Sequence, residues 1–186
     1  MPTYWGDQPI VAAPAYIGII VFFLAVLALF LEKRKIKYAL LTGIIVSLFL
    51  SWGKNLSFLT DFFINYVPMY NKFRAVSSIQ VLLELCMPAL AILGLYNFFK
   101  VDEQKQWKVL LKSGSFVGGI LVLLFLFKGM FNFSGGSDGY YAEAYGHDFI
   151  SVLKEDRAAM YSSDVLRSLG FLVVVFGIMY ASIKNK

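Results

Sequence analysis

Cysteine and histidine occur once each among the 186 residues. Cys86 alone can form no disulfide within the chain, and inside an apolar run it reads as a small packing residue. His147 has no histidine or cysteine at ligand spacing, so no metal site is expected. The chain contains no GxSxG, HExxH, P-loop or dinucleotide fingerprint, and no cofactor is evident. Charge is also sparse, at 16% of residues. What fills the space is apolar: 59% of residues are hydrophobic and the mean hydropathy is +0.67. A water-soluble chain of this composition would lack the polar residues to cover its surface.

The apolar residues gather in five stretches, Pro14–Leu31, Ile36–Trp52, Ala75–Phe99, Val109–Phe131 and Val165–Ile183. About 20 such residues in a helix cross the roughly 30 Å hydrocarbon layer of a bilayer. The expected fold is therefore an all-α integral membrane bundle, a single transmembrane domain over residues 1–186 with about five spans. Outer interfacial helices are expected in the links 53–74 and 132–164.

A net charge of +5 and a pI near 9.2 invite a nucleic-acid reading, but the positions of the cations oppose it. Lys33, Arg34, Lys35 and Lys37 sit in the first link, Lys100, Lys105, Lys108 and Lys112 around the third, and Lys184 and Lys186 at the end. Ten of the seventeen basic residues thus occupy alternate ends of the spans. That is the positive-inside pattern, with lipid headgroups rather than nucleic acid as the partner. It predicts a cytoplasmic C-terminus and an outside N-terminus. Met1–Ala13 carries no basic segment ahead of the first span, so it is not read as a signal peptide. It is expected to be translocated directly, or to mark a piece of a longer protein.

Within the second link, Phe58, Leu59, Phe62, Phe63 and Tyr66 follow helical spacing, with Thr60, Asp61 and Asn65 on the other side. Ser57 is a candidate cap and Pro68 a stop. In the fourth link a flexible run is expected at Ser134–Gly139. An amphipathic surface helix should follow, opening at Asp148, and Ser163-Asp164 should cap the last span. Gly43, Ser47 and Ser51 share one face of span two, and Gly114 and Gly118 form a GxxxG in span four. Such small faces let helix backbones approach, so each should meet a partner helix.

Polar residues inside apolar runs are the candidates for chemistry. Ser77, Gln80 and Glu84 lie on one face of span three, with Glu84 about nine residues, or roughly 14 Å, from its start. An ionised carboxylate at such depth must face protein, water or a partner, or be protonated. Pro88 lacks the N–H that would bond the carbonyl of Glu84, freeing a second acceptor at that level. This face reads either as a polar, proton-linked site or as interhelical bonding around a proline kink. Lys128 is the candidate counter-ion, or else a snorkelling interfacial lysine. At the outer mouth of span three, Lys72 and Arg74 stand beside Tyr70 and Phe73. Arginine's fork and a nearby ammonium suit a phosphate-bearing lipid or sugar; simple anchoring at the interface is the other reading.

Tyr4-Trp5-Gly6-Asp7-Gln8-Pro9, Leu50-Ser51-Trp52-Gly53-Lys54-Asn55 and Val67-Pro68-Met69-Tyr70-Asn71-Lys72-Phe73-Arg74 together resemble the YfhO family of bacterial multi-spanning membrane proteins. The runs Glu155-Asp156-Arg157 and Ser163-Asp164-Val165-Leu166-Arg167-Ser168-Leu169 are similar to that family as well. The resemblance implies an internal or truncated portion of a longer protein of the bacterial cytoplasmic membrane. It also implies kinship with GT-C glycosyltransferases, which use polyprenyl-phosphate-linked sugars on the extracytoplasmic face. Nothing here corresponds to the acidic catalytic loop of those enzymes, so the catalytic residues stay unknown and the isolated chain is expected not to turn over. Lys72, Arg74 and Tyr70 become candidates for contacting the donor's phosphate. The competing expectations are an ion-coupled transporter component, resting on Gln80, Glu84 and Lys128, and a non-catalytic scaffold that gathers helices through its glycine faces.

Overall fold

The computed structural model describes Thr3, Trp5 and residues 16–72 and 79–185, apart from the side chains of Lys54 and Asn71. Among these residues there are seven α-helices and no strand. The helices are α1 Ile19–Leu31, α2 Ile36–Ser51, α3 Ser57–Tyr66, α4 Gln80–Phe98, α5 Glu103–Leu126, α6 Asp138–Tyr145 and α7 His147–Lys184. The all-α expectation is met, and each of the five apolar stretches contains a helix among its described residues.

Three helices are long and apolar enough to cross a membrane: α4, α5 with its 3-10 extension to Met130, and α7. With 13 and 16 residues, α1 and α2 are apolar but shorter, about 20 and 24 Å at the usual rise. Much of α4 offers large apolar side chains outward, Val81, Leu85 and Ile92 each about two-thirds exposed. Hydrocarbon is the solvent that such a surface fits. By the length and composition of its helices, this is a membrane protein.

The chain forms two compact units, one of residues 15–113 and one of residues 1–14 and 114–186, with the division falling inside α5. In the first unit α1 and α4 pack closely, because Gly94 has no side chain. A Cβ there would lie 2.3 Å from the Leu24 carbonyl oxygen and 2.9 Å from the Ala28 nitrogen. One turn further, Asn97 reaches Glu32, so α1 and α4 run parallel. Ala25, Ala28, Leu83, Met87, Leu90 and Ala91 form the core between them. The small face of α2 packs on α4 as well: a Cβ on Gly43 would sit 3.2 Å from Cys86 Sγ, and Ser47 and Ser51 are buried.

In the second unit α5 and α7 run antiparallel. Gly114 lies under the Phe176 ring, Gly118 under Leu172, and the Tyr161 hydroxyl donates to the Leu124 carbonyl. Both small-residue faces thus meet a helix of the same chain.

Two expectations need correction here. No break separates a surface helix from the last span: α7 runs unbroken for 38 residues, about 57 Å. Ser163 and Asp164, expected as the cap, both lie inside α7, and Asp164 pairs with Arg167 one turn on instead of holding a helix start. The helix opens after Gly146 rather than at Asp148, since Gly146 has φ +89°, a turn that a side chain would strain. The run Ser134–Gly139 carries a reciprocal pair of hydrogen bonds. The Gly135 N–H donates to Asp138 Oδ2 (2.8 Å), and the Asp138 N–H donates back to the Gly135 carbonyl (3.0 Å).

Candidate functional site

Helix α3 forms over the expected residues, but its faces are arranged otherwise than its spacing suggests. Thr60, placed on the solvent side by periodicity, is buried and donates to the Gly53 carbonyl at 2.9 Å. The turn before the helix needs a donor for that carbonyl, and Thr60 supplies it. The aromatic residues are left outside: Phe58 is 83% exposed, Phe62 49% and Tyr66 74%, with the Phe62 and Tyr66 rings 5.1 Å apart. Beyond Pro68 the chain turns through Met69, whose φ of +67° is a left-handed conformation rare for a side-chain-bearing residue. A 3-10 turn over Tyr70–Lys72 follows. There the Tyr70 ring packs against Phe63 (5.5 Å), burial pushes its phenol pKa up, and Lys72 stays exposed. Arg74, Phe73 and Ser77 lie outside the described residues.

Gln80 opens α4 and Glu84 stands one turn later, about 6 Å along the axis. Gln80 is half-buried and Glu84 exposed, at the border of the face that buries Leu83, Met87 and Ala91. Pro88 sits within α4 without ending it. Lys128 belongs to the other unit, where it donates to Ser162 Oγ (3.4 Å) and lies over the Phe125 ring. Among the described residues no three histidine, cysteine, aspartate or glutamate side chains gather as a metal site would need.

Two polar ties were not anticipated. The carboxylate of Glu32, just past the end of α1, is only 3% exposed. It accepts from the Arg34 backbone N–H (2.9 Å), Arg34 Nε (3.0 Å), Arg34 Nη2 (2.7 Å) and Asn97 Nδ2 (2.8 Å). Four donors satisfy its two oxygens, and the hydrogen bonds from Arg34 foremost hold its pKa down at about 2. In the second unit Arg157 of α7 is 1% exposed. Its Nη1 donates to the Phe133 carbonyl (2.8 Å) and Asp138 Oδ2 (3.0 Å), its Nη2 to Asp138 Oδ1 (2.8 Å). This guanidinium lowers the pKa of Asp138. Phe133 itself has φ +48°, a conformation costing about 1 kcal/mol or more, which aims its carbonyl at Arg157. Its ring lies 5.0 Å from Trp5 and 5.8 Å from Tyr161, in an aromatic cluster. A lone acid at a helix end within a basic run, and a lone arginine among acids, were the available signals.

Comparison with known protein families, with curated proteins and with solved structures found no match to this chain.

Proposed function

We propose that this chain is part of a YfhO-like protein of the bacterial cytoplasmic membrane that handles a polyprenyl-phosphate-linked sugar. In this reading the lysine-rich ends face the cytoplasm and α3 lies at the outer surface. The observation that carries it is the α3 segment: an outward aromatic face of Phe58, Phe62 and Tyr66, followed within one turn of Pro68 by Tyr70 and the exposed Lys72. An amphiphile with an apolar tail and an anionic head matches that order, the tail along the rings and the phosphate at the cations. Lys72 and Arg74 hold the phosphate, and Tyr70 packs on Phe63 at the start of the same turn. The chain contributes binding and orientation; catalytic carboxylates come from elsewhere.

Titration of the detergent-solubilised chain with undecaprenyl phosphate tests this. Lys72→Ala and Arg74→Ala should each weaken binding about tenfold, the scale of one charge-assisted hydrogen bond. Affinity unchanged in the double variant would remove the segment from the proposal.

A second reading rests on Glu84, an exposed carboxylate one turn before Pro88 in an apolar helix. Such a group suits an ion-coupled transporter, with Gln80 one turn earlier on the same helix as its polar neighbour. Proton-dependent flux in liposomes, abolished in Glu84→Gln, is its expected signature; identical flux in the two proteins ends it.

A further inference from the structure

The whole net charge of the chain comes from two short segments. Residues 32–37 and 100–112 hold eight cations and three carboxylates, while the rest of the chain has nine of each. The Asn97–Glu32 hydrogen bond joins these segments at one end of the first unit. Gln106 adds a second tie by donating to the Phe98 carbonyl at 2.7 Å, which sets the first turns of α5 at that level.

The cations there are not equivalent. Lys37 is engaged internally, donating to the Leu29 carbonyl at the C-terminal end of α1. Glu32 grips Arg34 by Nε and Nη2, which fixes the guanidinium while its side chain stays 61% exposed. Lys33 and Lys35 flank it and are exposed. Lys100, three residues past Asn97, is exposed; its ammonium lies 4.1 Å from the Tyr96 ring centroid and donates to the Tyr96 hydroxyl. Tyr38 and Tyr96 are more than half exposed at the same level, as aromatic side chains at a membrane–water boundary are.

We infer that the α1–α2 corner and the α4–α5 turn form one cationic seat for anionic glycerophospholipid headgroups, with Lys33, Arg34, Lys35 and Lys100 as its phosphate contacts. Charge complementarity selects an anionic over a zwitterionic headgroup. The Glu32–Arg34 grip orders the fork before the lipid arrives, and the tyrosines mark the depth at which headgroups lie. The seat needs only that the chain be in a bilayer, and it is separate from the α3 segment proposed to hold the polyprenyl phosphate.

Native mass spectrometry of the full chain in detergent, titrated with phosphatidylglycerol or phosphatidylcholine, tests the inference. Wild type should retain phosphatidylglycerol preferentially, and the preference should weaken as salt rises. Each of Lys33→Gln, Lys35→Gln and Lys100→Gln should lower phosphatidylglycerol affinity about fivefold, with larger losses in combination. Lys154→Gln/Arg167→Gln, which removes two cations elsewhere, should leave it unchanged. Should the triple variant not fold, the three single variants carry the test. Equal retention of the two lipids, an unchanged preference in the Lys33, Lys35 and Lys100 variants, or equal competition by inorganic phosphate at the same concentration would overturn the seat.

Discussion

The two buried ion pairs are mirror images. In the first unit the carboxylate is inside and the arginine outside, Glu32 being 3% and Arg34 61% exposed. In the second the arginine is inside at 1% and the carboxylate nearer the surface, Asp138 being 14% exposed. A charge withdrawn from water is tolerable only while its partners hold it. Stability should therefore be most sensitive to the outer member of each pair, because its loss strands the inner one. Chemical type does not decide which residue matters; burial does.

The largest effect should come from Asp138→Ala, which takes the carboxylate from the buried guanidinium. A loss of about 3 kcal/mol is expected, read by urea unfolding in detergent micelles. Arg157→Met, which removes the buried charge and keeps most of its volume, should cost less, within about 1.5 kcal/mol. A larger loss in Arg157→Met than in Asp138→Ala would break the comparison at once.

Gly94→Ala comes next, at about 2 kcal/mol, because the new methyl meets the backbone of α1 rather than a movable side chain. Gly43→Ala meets only the Cys86 sulfur at 3.2 Å and should cost much less. Comparable costs at both glycines would mean that α1 and α4 are not the close pair described here.

The first ion pair should show the mirrored order, Arg34→Ala destabilising more than Glu32→Gln. It also has a pH signature. The Glu32 pKa is lowered from 4.5 to about 2, so its contribution is complete above pH 4.5 and fades as pH falls toward 2. The gap in melting temperature between wild type and Glu32→Gln should close over that interval. A gap that persists at pH 2 would contradict the pairing. Asp138, also lowered, should lose its contribution in the same direction on acidification.

The smallest effect is expected at Gly119, where a methyl would meet nothing within 4 Å. Gly119→Ala should change stability by less than about 1 kcal/mol.

Much of the helical framework was legible because hydropathy and chain-breaking residues act locally. Pro68 follows the end of α3 as expected, and the small faces at Gly43 and Gly114 do meet neighbouring helices; Ser57, expected to cap α3, is instead its first helical residue, after an uncapped Leu56. Local rules failed where a second segment competed. Ser163-Asp164 resembles a helix cap, yet both residues sit within an unbroken helix. Thr60 looks solvent-facing, yet a backbone carbonyl seven residues earlier claims its hydroxyl. Among the candidate site residues, Lys72, Glu84 and Lys128 are exposed and Tyr70 half-buried, distinctions that spacing does not carry.

Left to itself, the order of residues determined that lipid surrounds this chain and that its apolar runs coil into helices. Those properties depend on residues within a turn or two of one another. Which charges are buried was decided only by tertiary packing. Glu32 finds Asn97 65 residues away and Arg157 finds Asp138 19 residues away, so each partnership exists only once helices have met.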